Sequence, residues 1–316
     1  MKPVAVIGCG AIGQGWAILF AHRGIAVRLF DVSAAAAERA VERIAVSLSD
    51  LCGEHGFMGS DAVQARISVY GSMAEAVEGV FYVQECVPEN VSLKTRTFVD
   101  IAALTDKEVI LASSCSSILP DAFLEHPRFR ERCIVAHPFS PPHLIPLVEI
   151  VTSSWTSEAT VDAVRCLLTS IGQRPIVLRK PVPGYVVNRL QAAVIAESLA
   201  LVREEVISPQ DLDTCMKDGL GRRWAFMGPF QTMDLNSAGG FQEYVNKFYA
   251  DGYRAICSDL KVHEPWSPRA IDAVEHWRRE EVRDEKALAL RRRWRDQMLL
   301  AIGQFLRDAD DRSRTS

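Results

Sequence analysis

No window of the chain reaches 18 consecutive apolar residues, so no membrane-spanning helix is expected. Nor does charge of one sign dominate. Against 40 Asp and Glu stand 36 Lys and Arg, a net charge of −4 that gives no reason to expect a nucleic acid or an anionic membrane as partner. The eight cysteines (Cys9, Cys52, Cys86, Cys115, Cys133, Cys166, Cys215, Cys257) form no C-x-x-C pair, and several lie in apolar runs. They are expected to be reduced, mostly buried thiols of a cytoplasmic protein, and no structural metal site is expected. No small-residue cleavage site follows an apolar stretch near the start, so no secretory leader is expected. Internal repeats and low-complexity tracts are absent. The longest basic cluster, Arg291-Arg292-Arg293, reads as a solvated helix face.

What is present is a chain of 316 residues, 48% apolar, enough for one large or two ordinary domains. The apolar run Val4-Ala5-Val6-Ile7 leads directly into Gly8-Cys9-Gly10-Ala11-Ile12-Gly13, and a mixed apolar stretch follows from Gln14. In this G-x-G-x-x-G, Gly8 allows the tight turn, Gly10 lets backbone approach a pyrophosphate, and Gly13 lets the helix pack closely on the sheet. The free amides at the helix start, those of Ala11, Ile12 and Gly13, then hold the anion. A second apolar run ends at Asp31, 18 residues after Gly13, where a carboxylate accepts hydrogen bonds from an adenosine ribose. That acid repels a 2′-phosphate, and Arg28 lies inside the run rather than after Asp31, so the expected cofactor is NAD rather than NADP.

From residue 1 to about 180, short apolar runs (4–7, 27–30, 79–83, 109–111, 134–136, 144–151 and 176–178) alternate with amphipathic stretches such as 33–51, 93–103 and 158–171. That order predicts an α/β fold: an N-terminal Rossmann-type, doubly wound, mostly parallel sheet. The segment 52–68 is irregular, a helical excursion or a loop. Pro181-Val-Pro183-Gly184 marks a boundary, beyond which strand signals nearly vanish. Long helical patterns follow at 185–206, 241–255, 268–280 and 286–306. The expected division is a cofactor domain over 1–183 and an all-helical domain over 184–316, with a polar, frayed tail from 308 to 316.

Chemistry concentrates at strand ends. His137 closes the run Cys133-Ile-Val-Ala-His, and Glu149 sits within the apolar Leu144-Ile-Pro-Leu-Val-Glu-Ile-Val. A carboxylate there is costly to bury unless paired. If the two meet, Glu149 holds one ring nitrogen's proton and the other nitrogen accepts a proton from a substrate alcohol. Spacing alone leaves open two unrelated polar residues. Ser113-Ser114-Cys115-Ser116-Ser117 follows a strand, where ligands bind in doubly wound folds, or is a serine-rich turn. Asn188, one turn into a helix, either donates to a substrate oxygen or ties down the domain junction.

These motifs together resemble the L-3-hydroxyacyl-CoA dehydrogenase superfamily. The resemblance rests on the glycine turn, Glu85-Cys-Val-Pro-Glu89, Lys94, Ser114-Cys-Ser116-Ser117, His137-Pro, Leu147-Val-Glu149 and Gly184-Tyr-Val-Val-Asn188-Arg-Leu, in order from residue 4 to about 236. Within it, Gln84-Glu-Cys-Val-Pro-Glu89, Ile145-Pro-Leu-Val-Glu149 and Gly219-Leu-Gly-Arg-Arg-Trp-Ala-Phe-Met-Gly-Pro229 are similar to the branch that oxidises L-gulonate.

The resemblance implies a general base at His137 oriented by Glu149, with Ser116 and Asn188 on the reacting oxygen. It implies Glu85, Glu89, Lys94 and Ser114 at the cofactor, and a homodimer formed through the helical domain. Ser140 stands where members often have asparagine. Arg222 and Arg223 are candidates for a substrate carboxylate, since an arginine fork binds one bidentately, or are surface or dimer-interface ion pairs. The implied activity is NAD-dependent oxidation of a free hydroxy acid such as L-gulonate. The alternatives are a 3-hydroxyacyl-CoA, L-carnitine or 3-hydroxybutyrate. A purely structural role would not need the Ser116, His137, Glu149 and Asn188 set.

Overall fold

The computed structural model describes residues 2–51, 59–126, 128–248, 252–261 and 266–315, without the side chains of 281, 310 and 313–315. Eight strands form one sheet: β1 (Val4–Ile7), β2 (Val27–Phe30), β3 (Ile67–Val69), β4 (Tyr82–Glu85), β5 (Ile110–Ser113), β6 (Cys133–Pro138), β7 (Leu147–Val151) and β8 (Arg174–Val177). Their order is β3-β2-β1-β4-β5-β6-β7-β8, which contains the doubly wound order 3-2-1-4-5-6. All neighbours run parallel except β6 and β7, which are antiparallel.

Alternation along each strand divides the core in two. Val4, Val6, Ile134, Ala136, Val148 and Ile150 face one cluster, with Trp16 and Phe20 of α1 (Ala11–His22), Ile44 of α2 (Ala34–Leu51) and Leu168 of α6 (Glu158–Ser170). Ala5, Ile7, Cys133, Val135 and Val151 face the other, with Val77 of α4 (Met73–Val77) and Phe98 and Ile101 of α5 (Val91–Leu104). Successive side chains point to opposite faces, so both faces must be covered, and the strands read as unbroken apolar runs. His137 continues the face of Cys133 and Val135, and Glu149 that of Val151.

α5 and α6 start with side-chain caps. Asn90 accepts from the Leu93 amide and Ser157 from the Thr160 amide.

Several expected boundaries shift. β4 lies at 82–85 rather than 79–83, because Gln84 and Glu85 are strand residues buried in spite of their polarity. β7 begins at Leu147, since the Leu144 and Ile145 amides bond back to the Pro141 carbonyl in a turn. Within 52–68, the described part holds the short helix α3 (Ser60–Gln64) and β3, an edge strand whose half-exposed residues left no apolar run to find. Cys52 lies outside the described residues.

By compactness the chain divides into one unit of residues 1–188 and 293–316, and a second of 189–292. Described residues of the second unit contain helices and no strands, among them α8 (Pro209–Thr214), α9 (Gly221–Trp224), α10 (Pro229–Asp234) and α11 (Gly240–Phe248). Of the stretch expected as one helix over 241–255, residues 241–248 lie in α11, 249–251 lie outside the described residues, and Arg254 opens α12 (Arg254–Asp259). The last helix, α14 (Glu285–Thr315), starts in the second unit and ends in the first, and it runs through the tail expected to fray. No Gly or Pro breaks it there, and Gln304 Nε2 donates to Asp308 one turn on, at 2.6 Å. Arg293, in the basic cluster, pairs with Asp50 at 3.1 Å. No helix among the described residues is long and apolar enough to cross a membrane.

Candidate active site

The glycine turn joins β1 to α1. Gly8 has φ +101°, and a Cβ there would lie 2.7 Å from the Cys86 carbonyl oxygen. A Cβ on Gly13 would lie 2.0 Å from the Gly8 carbonyl oxygen, so α1 rests directly on the turn. Around Gly10, by contrast, nothing lies within 4 Å of an added Cβ. The first intrahelical bond runs from Gln14 N to Gly10 O, and the amides of Ala11, Ile12 and Gly13 are left pointing out of the helix start. This open, donor-lined hollow at the positive end of a helix is the shape a diphosphate needs.

Beside the hollow, Asp31 ends β2's path. Its Oδ2 accepts from the Cys9 amide at 2.9 Å and its Oδ1 from the Ser33 amide at 3.0 Å, which fixes the carboxylate's orientation. Arg28 is committed elsewhere. It donates to the carbonyls of Glu75 and Glu78 and stacks on Tyr70, 5.1 Å from the ring centre.

Across the antiparallel β6–β7 pair, His137 and Glu149 are direct register partners. Nδ1 lies 2.9 Å from Glu149 Oε2, and both side chains are buried. The other oxygen, Oε1, accepts from the amides of Val186 and Val187 at 2.9 and 3.1 Å, at the start of α7 (Val187–Arg203). Burial works to raise the Glu149 carboxyl, but His137 and the two amides outweigh it and hold it below the usual carboxylate range. Those amides are presented by two consecutive left-handed residues, Gly184 (φ +72°) and Tyr185 (φ +53°). For a tyrosine this backbone costs about 1–2 kcal/mol.

The segment 115–118 follows β5. One oxygen of Glu89 gathers it in, accepting from the amides of Ser116, Ser117 and Ile118, the Ser117 hydroxyl and the Cys115 thiol at 2.8 to 3.3 Å. Burial raises the Glu89 carboxyl, yet these donors and Lys94 prevail and hold it at about 2. Asn188 Nδ2 donates to the Ser116 carbonyl at 2.9 Å. The Ser116 hydroxyl has no partner among the described residues, whereas the Ser114 hydroxyl is engaged. Ser114 accepts from Trp16 Nε1 at 3.1 Å and Gln84 Nε2 at 2.8 Å, and touches Cys86 Sγ.

Glu85 and Lys94, expected at the cofactor, are each 1% exposed and bond to one another at 2.9 Å. Burial pushes the Glu85 carboxyl up, opposed by Lys94, the Ser113 hydroxyl and the Val87 amide. Thus their primary contacts are internal.

In the second unit, Arg222 is exposed and 3.7 Å from Asp218. Arg223 is half-buried, with no ion pair among the described residues. The two follow a π-helical turn, Cys215–Leu220. Trp16, Gln84 and Tyr185 were not singled out from sequence. Each sits in an apolar stretch and reads as core; only a polar atom buried in such a stretch hints at more.

The chain matches two family models: 3-hydroxyacyl-CoA dehydrogenase, NAD binding domain, over residues 3–181, and 3-hydroxyacyl-CoA dehydrogenase, C-terminal domain, over residues 184–272. It is 39% identical over 308 residues to lambda-crystallin of Oryctolagus cuniculus, covering 96% of each chain. To an L-carnitine dehydrogenase of a Pseudomonas species it is 33% identical over 302 residues, covering 96% of this chain and 93% of that one. Among solved structures, a 5-formyl-3-hydroxy-2-methylpyridine 4-carboxylic acid 5-dehydrogenase, an NAD-dependent dismutase, superposes with a TM-score of 0.78 at 29% identity, covering 97% of this chain and 99% of that one. The models lie end to end over the sheet and the helices that follow, and the chain accordingly belongs to the 3-hydroxyacyl-CoA dehydrogenase family, NAD-dependent dehydrogenases that act on CH–OH groups.

Proposed function

We propose that the chain oxidises the 3-hydroxyl of a free hydroxy acid, L-gulonate to 3-dehydro-L-gulonate being the first choice. The observation that carries the chemistry is the His137–Glu149 contact, 2.9 Å long, at the carboxyl edge of the parallel strands. Bound NAD supplies the hydride acceptor. His137 takes the hydroxyl proton on Nε2. Glu149 keeps the proton on Nδ1, sets the tautomer and stabilises the imidazolium as it forms. A positioned base of this kind contributes on the order of 10²–10⁴-fold.

Ser116 offers its free hydroxyl to the reacting oxygen. Asn188 holds the Ser116 carbonyl with one amide hydrogen and has a second for the substrate. The Ala11–Gly13 amides and Gly8, Gly10 and Gly13 receive the diphosphate, and Asp31 the ribose. Glu85, Glu89, Lys94 and Ser114 stiffen the nicotinamide end.

The preference for a free acid rests on Arg223, half-buried without an ion pair among the described residues, and on similarity to proteins named for L-carnitine and for a pyridine carboxylic acid, both carboxylates. A second reading, a 3-hydroxyacyl-CoA ester, is favoured by the family models. Among free hydroxy acids the alternatives to L-gulonate are L-carnitine, favoured by the L-carnitine relative, and 3-hydroxybutyrate. We assign residues 1–183 to the cofactor and 184–316 to the substrate and to a cytoplasmic homodimer. Phe226, Phe230 and Leu235 leave large apolar surface for such an interface.

The test is NADH formation, followed by absorbance, with L-gulonate, L-3-hydroxybutyrate, L-carnitine and 3-hydroxybutyryl-CoA side by side. Highest kcat/KM for L-gulonate is expected. Highest for the CoA ester would overturn the free-acid reading.

A further inference from the structure

Tyr185 touches both the His137–Glu149 pair and the segment after β5. Its ring centre lies 5.4 Å from that of His137, at an interplanar angle of 60°. Its hydroxyl donates to the Ile118 carbonyl at 2.8 Å, in the segment that carries Ser116. Its left-handed backbone turns the next two amides onto Glu149. The side chain is fully buried, in the core cluster that contains Cys115 and Val135.

Those contacts divide into two sets. The Ser116 segment is held through its amides by Glu89 and through its carbonyls by Asn188 and Tyr185. The His137–Glu149 pair belongs to β6 and β7 and makes no hydrogen bond to that segment among the described residues. Proton removal at His137 and hydrogen bonding from Ser116 must nevertheless act on one oxygen atom, and their separation has to be fixed to a fraction of an ångström. A rigid ring with one polar tip, packed on the imidazole and tied to the loop, is suited to fixing it.

We propose that Tyr185 is a positioning residue for the dehydrogenase reaction, setting the distance between the His137 imidazole and the Ser116 hydroxyl. The proposal rests on the base assignment above. Burial keeps the phenol well above its ordinary range, so the hydroxyl stays a donor throughout the working pH. In this arrangement backbone strain at residue 185 serves the same end, because the turn that aims the ring also aims two amides at Glu149.

The experiment compares wild type, Tyr185→Phe, Tyr185→Leu and His137→Ala, each loaded with NAD, for kcat, KM and melting temperature on the substrate panel. Phenylalanine keeps ring, burial and backbone and removes one oxygen. Its kcat is expected to fall about 3- to 10-fold, the fold-change of one neutral hydrogen bond, with KM for NAD and melting unchanged. The proton chemical shifts of the His137 ring, read by NMR at fixed pH without substrate, are expected to move in Tyr185→Leu, which removes the neighbouring aromatic ring 5.4 Å away, and to change little in Tyr185→Phe.

Wild-type kcat in Tyr185→Phe, or lower melting with kcat intact, overturns the tether. Unmoved His137 ring shifts in Tyr185→Leu overturn the ring's role. An active His137→Ala enzyme overturns the base assignment instead, so the two failures are separate.

Discussion

Glu149 stands directly opposite His137 across the antiparallel β6–β7 pair, while the other neighbouring strands of the sheet run parallel. His137 lies near the end of β6 and Glu149 is the middle residue of β7. Reversing the chain therefore brings a carboxylate to the carboxyl edge of the sheet, where ligands bind. Because Oε1 must accept two backbone amides, the acceptor and donor ends of a glutamine at 149 are decided in advance. In Glu149→Gln the amide nitrogen faces Nδ1, which then has to be unprotonated. The proton moves to Nε2, and the base is lost. Turnover is expected to fall by about 10²-fold or more, and His137→Ala by at least as much, both with NAD affinity unchanged. Steady-state rates alongside an NAD titration check this; a His137→Ala enzyme near wild-type rate would remove the imidazole from the mechanism.

Cofactor choice follows from Asp31 and Arg28 together. The carboxylate is fixed by two amides, and the nearby guanidinium is tied to two carbonyls and Tyr70, so it does not neutralise an added phosphate. Two unit charges about 4 Å apart repel by about 4 kcal/mol at an effective dielectric near 20, so kcat/KM with NADP is expected to be lower by roughly 10²-fold or more. Asp31→Ala narrows the gap. Equal efficiency of the wild-type enzyme with both cofactors would discard the argument.

Legibility from sequence tracked how local the cause was. The turn from β1 to α1 carries local signals within six residues: Gly8 takes a positive φ of +101° and a Cβ on Gly13 would meet the Gly8 carbonyl oxygen, although Gly8 also lies against the distant Cys86, and Gly10 is open. Gly15 escaped notice because its reason is distant. A Cβ there would meet Pro142, 127 positions on. His137 and Glu149 were recognisable as residue types, but their meeting depends on the one antiparallel register. Tyr185 was invisible for a related reason. Its three contacts come from β6, from the loop after β5 and from its own backbone, and no periodicity encodes them.

His143 predicts a slope of stability with pH. Both of its ring nitrogens are buried without a hydrogen-bond partner. Burial first, and then the charge of Arg295, pull it down from 6.5 to about 4. Between those values the unfolded chain binds a proton that the folded chain refuses. Stability is therefore complete above about pH 7, falls as pH drops from 6.5 towards 4, and loses nothing further from this group below that. Over 6.5 − 4 = 2.5 pH units the full effect is on the order of 3 kcal/mol. Urea unfolding of wild type and His143→Phe at about pH 7 and about pH 5 measures it. The variant should lose less stability on acidification; equal losses would show that His143 takes its proton without penalty.

Arg222 and Arg223 are adjacent in sequence and differ in setting. Arg222 is 75% exposed and lies within reach of Asp218, so its charge is already screened. Arg223 is half-buried, without an ion pair among the described residues, and follows a π-helical turn that closes on Gly221, where a Cβ would sit 2.8 Å from the Met216 carbonyl oxygen. π-Turns of this kind recur at functional sites because they re-aim the side chains after them. If Arg223 forks onto a substrate carboxylate, lysine in its place keeps the charge and loses the second hydrogen bond. A charged hydrogen bond is worth about 1.5–3 kcal/mol, so KM for a free hydroxy acid should rise roughly 10- to 100-fold in Arg223→Lys. Its kcat should hold, and so should KM for a CoA ester, which has no free carboxylate at that position. Arg222→Lys should leave all three constants alone. An unchanged KM for every free acid in Arg223→Lys would mean that the carboxylate, if the substrate has one, is held elsewhere.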